Sequence, residues 1–393
     1  MPRIAFAIAN AFVACIAFAF RAGRGRAPPA NPSRILLANA GHIGDLLLMR
    51  FTIPVIRERF PDAKVDLLAG SWAQSLFTGS TLVNRVIELD HWYQDRSARP
   101  VAVKVCRYLR AAWQTAGRLK HEAYDIAIDV RMWFPNYGFV LWMAGIPIRI
   151  GFRGLNFGAF LTSSAPAEFS RRHEVDVQSD LLRRAFGDFT STSVGPRGLQ
   201  ANARGEEEVR ALLGDNRTGV RVLHVATSTP VRLWVPERWR ALTRDLLARG
   251  ITPVFTGRGD AEAKLIREVT GGLTGCVSAC DRLSWDGLVA LISRVELVYS
   301  TETSVGHLAA ALGTPVVAIY GGTADPQRWR PYGARVRVVT NPVRCFPCLR
   351  KKGCGSMACI TDIPVAAVQR EADILVEQDN KPVSRSDRRW MSV

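Results

Sequence analysis

Residues 300–333 read STETSVGHLAAALGTPVVAIYGGTADPQRWRPYG, and this stretch is the most informative part of the sequence for the architecture. It holds the end of an apolar strand, a helical pattern rich in small apolar residues over 304–312, and a second apolar run over 315–321. Short apolar strands that alternate with helices are typical of parallel sheets covered by helices on both faces. The stretch therefore predicts a strand–helix–strand unit of an α/β fold.

The same alternation extends toward the N-terminus in two series. The predicted strands are 35–39, 65–70, 85–90, 124–130 and 148–152 in the first series, and 220–226, 251–257, 295–300 and 315–321 in the second. The predicted helices include 45–60, 236–249, 260–270, 284–293 and 304–312. Since right-handed crossovers join parallel strands, each series predicts a Rossmann-like sheet, with ligands bound beyond the carboxyl ends of its strands.

The length of 393 residues exceeds what one hydrophobic core usually supports, so two domains are expected. A content of 48% hydrophobic and 22% charged residues is that of a globular protein. The predicted divisions are an N-terminal segment 1–33, a first Rossmann-like domain 34–195, an interdomain segment 196–216, a second Rossmann-like domain 217–380 and a basic tail 381–393.

The N-terminal segment carries an apolar run of seventeen residues, from Ile4 to Phe20. A membrane-spanning helix needs about 20 such residues. Three arginines follow the run, before two prolines, and the positive-inside rule then places the rest of the chain in the cytoplasm. We predict an N-terminal hydrophobic anchor with an Arg/Pro linker, and a cleaved signal peptide or a buried extension are the alternatives.

The chain is strongly basic, with 52 Lys and Arg against 35 Asp and Glu. Such an excess favours a polyanionic partner: nucleic acid, anionic lipid or a phosphorylated substrate. The basic segments lack the interleaved aromatic residues of a single-strand groove and any recognisable DNA-reading module. We therefore expect no nucleic-acid partner.

Two strand-to-helix loops carry the candidate chemistry. The loop NAGHIGD over 39–45 contains Gly41, His42 and Gly44, and its glycines let the backbone approach a ligand at the start of the next helix. Asp45 ends this loop, where a carboxylate is more often a helix cap than a catalyst. In the second loop, the hydroxyls of Thr303 and Ser304 suit a diphosphate, and His307 either adds a donor or belongs to the core.

The turn IGD, the segment SxETxxxHLAAALGTPVVA, the stretch GTxDPxRWxPYG and the late cysteines resemble glycosyltransferase family nine, the ADP-heptose:lipopolysaccharide heptosyltransferases. The resemblance covers about residues 34–368. It implies a GT-B fold of two facing Rossmann-like domains, the first binding the acceptor and the second the nucleotide sugar. It also implies an inverting transfer that needs no metal or other cofactor, from a donor such as ADP-heptose to a lipopolysaccharide core or other anionic lipid-linked glycan at the cytoplasmic face of the inner membrane.

The resemblance assigns roles to individual residues. Asp45 matches the general base that deprotonates the acceptor hydroxyl. The residues that match the donor-binding positions are Arg232, Asp260, Glu302, Thr303, Ser304 and His307. Arginines of the first domain, Arg131 and Arg153 among them, are candidates for the acceptor, because a guanidinium binds phosphate and carboxylate in a bidentate manner.

Four residues depart from the family pattern. Glu302 stands where Asp is commoner, Ser304 where Gly is commoner and Arg232 where Lys is usual, and Val235 separates a Trp and a Pro that are adjacent in many relatives. Because Glu302 and Ser304 are unusual at the donor site, a catalytically inactive relative that binds a glycan or nucleotide is the second hypothesis. An NAD-dependent oxidoreductase is a third, although the first βα unit lacks a complete GxGxxG fingerprint.

Four late cysteines, Cys345, Cys348, Cys354 and Cys359, follow the donor motif. Four thiolates can enclose zinc or an iron–sulfur cluster, but this spacing matches neither a usual two-knuckle zinc pattern nor a common ferredoxin run. Reduced structural thiols, zinc, disulfides and a cluster are all compatible with the pattern. Placement in the cytoplasm disfavours disulfides.

Overall fold

A computed structural model describes residues 28–153, 158–166, 172–187, 199–214 and 219–380, the side chains of 379 and 380 excepted. The chain divides into two compact units at Leu199 and Gln200. The apolar run 4–20 and the tail 381–393 lie outside the described residues. Within the described ranges, none of the helices is both long enough and apolar enough to cross a membrane.

The first unit contains one six-stranded sheet with helices on both faces. Its strands are β1 (Arg34–Asn39), β2 (Lys64–Ala69), β3 (Arg85–Glu88), β4 (Ile126–Asp129), β5 (Ile148–Arg153) and β6 (Ser163–Pro166). Its helices are α1 (Ile43–Met49), α2 (Ile53–Arg59), α3 (Ala73–Phe77), α4 (Val101–His121), α5 (Gly138–Met143) and α6 (Glu174–Phe186). Short 3₁₀ helices cover Trp92–Gln94 and Gly158–Phe160.

The second unit contains another six-stranded sheet. Its strands are β7 (Val220–His224), β8 (Thr252–Phe255), β9 (Val277–Ser278), β10 (Leu297–Thr301), β11 (Val316–Tyr320) and β12 (Val336–Thr340). Its helices are α7 (Ala203–Leu213), α8 (Pro236–Ala248), α9 (Gly259–Thr270), α10 (Trp285–Arg294), α11 (Ser304–Ala311), α12 (Pro326–Trp329), α13 (Ala358–Thr361) and α14 (Val365–Asn380). A 3₁₀ helix covers Pro230–Arg232.

Both sheets are fully parallel and have the same topology. The strand orders are β3-β2-β1-β4-β5-β6 and β12-β11-β10-β7-β8-β9, which are the same order when each unit is counted from its own first strand. This is the doubly wound Rossmann order, and its direction reverses between β1 and β4 in one unit and between β7 and β10 in the other. The two predicted Rossmann-like sheets are confirmed, and ligand sites are expected at these two switch points.

Small residues allow the helices to pack closely on the sheet. The helix α11 is buried from Val305 to Ala311, and its glycine, Gly306, faces β10: a Cβ atom there would lie 2.8 Å from the hydroxyl of Ser300. In the same unit, the fully buried Trp234 donates its indole N–H to the carbonyl of Ile363 at 3.0 Å. This bond joins the segment after β7 to the segment before α14.

One predicted helix is wrong in its extent. The sequence predicts a single helix over 45–60, whereas the structure has α1 and α2 separated by a turn at 50–52. Pro54 lies in the first turn of α2, where its missing N–H costs nothing, but within a continuous helix it would remove a hydrogen bond. Arg50, the first residue of this turn, is fully buried, and its guanidinium donates to the carbonyl of Leu76 at 2.7 Å.

The segment predicted as a connection, 196–216, contains the helix α7. This helix packs against α10, and Gly205 makes the approach possible because any Cβ atom at that position would clash with the carbonyl of Asp286. The structure also adds the strands β6, β9 and β12, which the hydrophobic pattern did not reveal. Each of them lies at an edge of its sheet and is short or mostly half-buried.

Candidate active site

The loop after β1 is folded around Gly41. The buried side chain of Asn39 accepts a hydrogen bond from the Gly41 N–H at 2.8 Å, which turns the chain at the end of the strand. A Cβ atom on Gly41 would lie 2.6 Å from Nη1 of Arg131 and 2.7 Å from Oδ1 of Asn39, and it would also overlap Cβ of Asp45. Only glycine therefore leaves room for the side chains that meet here.

Asp45 is both a helix cap and half of an ion pair. Its Oδ2 accepts the backbone N–H of His42 at 2.8 Å, the contact expected of a capping residue. Its Oδ1 lies 2.9 Å from Nη1 of Arg131, and the two side chains are 17% and 13% exposed. Because Arg131 follows β4 and Asp45 follows β1, the pair lies at the switch point of the first sheet.

Arg131 is placed by a carboxylate that the sequence analysis did not single out. Asp129, buried at the end of β4, accepts the backbone N–H groups of Arg131 at 3.1 Å and Tyr137 at 2.7 Å. Burial raises the pKa of Asp129 to about 7, although these backbone bonds and the charge of Arg131 act in the opposite direction. An Asp that ends an otherwise apolar strand, as in IAID, was the signal that could have revealed it.

Two further side chains support the loop. Trp72 donates its indole N–H to the carbonyl of Gly41 at 3.2 Å and stacks on His42 with ring centroids 6.1 Å apart. Gln94 donates to the carbonyl of Ala40 at 2.6 Å. His42 is exposed at the surface of the loop, yet the groups around its ring desolvate it and lower its pKa, against the opposing effect of Asp45.

The crowding at Gly41 gives a first prediction. We expect Gly41→Ala to lower the free energy of unfolding by about 1–3 kcal/mol, because the methyl group must displace Asp45, Asn39 or Arg131. Urea unfolding measures the effect. Gly117→Ala is the matched control: its Cβ would meet nothing within 4 Å on the exposed side of α4, so stability should stay equal or rise. Equal stability of the two variants would contradict the close packing at Gly41.

An arginine–carboxylate pair also lies at the switch point of the second sheet. Nη1 of Arg232, in the 3₁₀ helix after β7, lies 3.0 Å from Oε1 of Glu302, which follows β10. The glutamate side chain is 10% exposed, and burial raises its pKa to about 7 while Arg232 opposes the rise. Oε2 of Glu302 and Nε of Arg232 have no hydrogen-bond partner among the described residues, so both ends of the pair retain capacity for a ligand.

The other predicted donor residues follow the ends of β8 and β10. Thr303 is the N-cap residue of α11, Ser304 begins the helix and His307 is buried in its first turn. The first-turn N–H groups of this helix form an anion-binding position. Asp260 is exposed in the first turn of α9, after the neighbouring strand β8, and no described residue forms a hydrogen bond or ion pair with it.

The buried pair predicts a specific dependence of stability on pH. The folded-state pKa of Glu302, about 7, exceeds its ordinary value of 4.5, so between these values the native state holds a proton that the unfolded chain has released. We expect the unfolding free energy of the wild type, relative to Glu302→Gln, to fall by on the order of 3 kcal/mol as pH rises through this window and to level off above it. Urea titrations of both proteins from pH 5 to 8 measure the difference, in which the titration of Asp129 cancels. A constant difference would show that Glu302 stays ionised throughout.

The late cysteines do not gather into a site. Cys359 is buried and accepts the N–H of Gly322 at 3.2 Å, and Cys348 donates to the carbonyl of the same glycine at 3.4 Å. Cys345 and Cys354 are exposed, and all four are free thiols. Within the described parts of the chain, no group of three or more His, Cys, Asp or Glu side chains could hold a metal ion.

Two Rossmann-like sheets, each with a charged pair and a helix N-terminus at its switch point, define a two-domain α/β ligand-binding protein of the GT-B type. A model of glycosyltransferase family 9 (heptosyltransferase) matches residues 112–356. The chain belongs to this family and is a glycosyltransferase. The resemblance seen in the sequence motifs is thereby confirmed.

Similar proteins cover most of the chain. It is 25% identical to lipopolysaccharide heptosyltransferase 1 of Pseudomonas aeruginosa over 81% of this chain and 86% of the relative. It is 24% identical to lipopolysaccharide heptosyltransferase 2 of Escherichia coli over 78% and 87%. Among solved structures, the family 9 glycosyltransferase of Veillonella parvula matches with a TM-score of 0.73 at 19% identity, covering 89% of this chain and 98% of that one. The similarity to this solved structure shows that the two chains share the same fold.

Proposed function

We propose that the chain transfers heptose from ADP-heptose to a hydroxyl of a lipopolysaccharide core or other lipid-linked glycan, with inversion at the anomeric carbon and without a metal. The observation that carries the proposal is the position of Asp45 at the first switch point, where Arg131 and the His42 N–H hold one carboxylate oxygen each. Family membership and the names of the relatives support the donor and acceptor classes.

The contacts of Asp45 are compatible with a general base. A carboxylate offers about four lone-pair positions, and the contacts with Arg131 and His42 occupy only two of them. A remaining lone pair can accept the proton of an acceptor hydroxyl, which is a poor nucleophile while it is neutral. The two contacts fix the direction of the carboxylate, so Arg131 is a positioning residue for the base. Of the two arginines named above as acceptor candidates, Arg153, exposed at the end of β5, is then the one proposed to contact the acceptor.

The second switch point suits the leaving diphosphate. Arg232 supplies a guanidinium charge with an unused N–H group, and the first turn of α11 supplies backbone donors near Thr303 and Ser304. Preorganised donors of this kind stabilise the negative charge that develops on a leaving group. Asp260, exposed after β8, is the proposed acceptor of hydrogen bonds from the ribose hydroxyls. The first domain, 34–195, thus binds the acceptor and the second, 217–380, binds the donor.

The acceptor of this proposal is a lipid, so the enzyme works at the cytoplasmic face of the inner membrane. The supporting features are the net charge of +17 and the apolar run 4–20. Both favour association with an anionic lipid surface.

The decisive experiment incubates the purified full-length protein with a panel of nucleotide sugars and a lipopolysaccharide core acceptor. We expect release of ADP and a matching mass increase of the acceptor with ADP-heptose, unaffected by a chelator, and an inverted anomeric configuration in the product. Turnover with a different nucleotide sugar would overturn the donor assignment. Nucleotide binding without any turnover would instead indicate an inactive, ligand-binding relative.

A further inference from the structure

The helix α4 exposes an apolar stripe on the face turned away from the sheet. The residues Cys106, Leu109 and Trp113 are spaced by three and four positions and therefore share one face. Trp113 is 73% and Leu109 49% exposed, while Tyr108 and Ala112 on the opposite face are buried in the core. Exposed apolar clusters of this kind mark interaction surfaces.

The stripe lies in a segment whose charged residues are all basic. Residues 96–121 contain seven Lys and Arg and no Asp or Glu. Arg107 and Arg110, beside the stripe, are exposed and form no ion pair with any described residue. A helix that combines exposed apolar residues with unpaired basic ones matches the interfacial region of an anionic membrane, where apolar groups enter the acyl boundary and arginines meet the headgroups.

We propose that the outer face of α4, formed by Cys106, Leu109 and Trp113 with Arg107 and Arg110, docks on the surface of an anionic phospholipid bilayer. The inference rests on the proposed function, because it specifies the surface through which the enzyme meets the membrane that holds its acceptor. Tryptophan suits this place, since its ring is amphipathic and favours the boundary between headgroups and acyl chains.

One end of α4 lies near the loop of Asp45, and the other lies near the point where the N-terminal segment enters the fold. Before its N-terminal end, Gln94 contacts the loop of Asp45 through the carbonyl of Ala40, so a lipid surface along α4 leads to the proposed acceptor site. At its C-terminal end, Glu122 pairs with Arg34, the first residue of β1, at 2.7 Å. The chain that follows the apolar run 4–20 therefore enters the fold beside this end of the helix.

The distances allow the apolar run and the stripe to contact one bilayer. Thirteen residues separate Phe20 from Arg34, and they reach roughly 43 Å when extended. The 21 residues of α4 extend over about 31 Å. The proposed surface is thus within reach of the membrane in which the predicted N-terminal anchor would lie.

Quenching of tryptophan fluorescence tests the docking directly. Full-length protein is mixed with vesicles of phosphatidylcholine and phosphatidylglycerol whose acyl chains carry bromine, a short-range quencher. The run 4–20 contains no tryptophan, so it cannot contribute to the signal. We expect quenching of the wild type and loss of most of it in Trp113→Phe, which keeps an apolar ring and should still sediment with the vesicles. Equal quenching in both proteins, or none in either, would overturn the proposal.

A second measurement tests the charged part of the surface. Arg107→Gln/Arg110→Gln should partition roughly tenfold less onto anionic vesicles at low salt, because each arginine near an anionic surface contributes to binding. Lys264→Gln/Arg267→Gln removes two exposed charges from α9 and should partition like the wild type. Equal partitioning of the two double variants would overturn the proposal. Neither measurement uses a sugar nucleotide, so failure of the docking surface and failure of the proposed transfer reaction are distinguished.

Discussion

Asp45→Asn is expected to lower kcat for sugar transfer by about 10²- to 10⁴-fold, the usual contribution of a general base, while the fold and nucleotide binding stay close to those of the wild type. The amide cannot accept a proton from the acceptor hydroxyl. It can still accept hydrogen bonds through its oxygen, so one of the contacts with the His42 N–H and Arg131 is retained. The substitution should therefore lower kcat much more than it lowers the stability of the fold.

The measurement is a comparison of kcat, of ADP affinity by calorimetry and of the urea midpoint for the two proteins. Asp62→Asn is the matched control, because Asp62 is an exposed carboxylate of the same domain with no described hydrogen bond or ion pair. We expect this control to behave as the wild type in all three measurements. Near-normal kcat in Asp45→Asn would leave Asp45 with the role of a helix cap alone.

The architecture could be predicted because it depends on local pattern. The apolar strands and the helices between them repeat along the chain, and the structure confirms the nine predicted strands within a few residues. The break between α1 and α2 was missed because the apolar spacing continues through it, although Pro54 lies just beyond. The edge strands were missed because they bury little apolar surface, which is the signal that periodicity uses.

The sequence could predict individual residues of the candidate site, but it could not predict which of them contact one another. Asp45 could be identified from its loop, and Arg131 only as a basic residue of the same domain. Their ion pair joins positions 86 residues apart, and it exists because β1 and β4 are neighbours in the sheet. Such a pair cannot be found from spacing, since the sequence does not state which strands are adjacent. The same holds for Arg232 and Glu302, which β7 and β10 bring together.

For the outer face of α4, the sequence does not show which residues are exposed. Leu109 and Trp113 have a helical spacing that is also typical of core residues, so the spacing does not distinguish an exposed face from a buried one. The structure buries the face of Tyr108 and Ala112, because that face meets the sheet. Composition predicted an anionic partner from the charge of the whole chain, but only the fold shows where apolar and basic residues coincide.

Arg232→Gln is expected to weaken ADP binding by about 10- to 100-fold and to lower kcat as well. A guanidinium bond to a phosphate is charge-assisted and is worth about 1.5–3 kcal/mol, and its loss is felt both in the bound donor and in the leaving diphosphate. The substitution also leaves Glu302 without its cationic neighbour in a buried position, so that carboxyl should take up a proton.

Glu302→Gln separates the two roles of Arg232. If the arginine binds the diphosphate, removing its carboxylate partner releases the guanidinium, so ADP affinity should stay equal to or exceed that of the wild type, most clearly above pH 7, where Glu302 is ionised. Arg232→Lys should recover part of the affinity, because it restores the charge but not the planar fork. Calorimetric titration of ADP into the wild type and the three variants at pH 8 gives all four values. Unchanged affinity in Arg232→Gln would show that Arg232 serves only as the counterion of Glu302, and the diphosphate would then depend on the N-terminal turn of α11 alone.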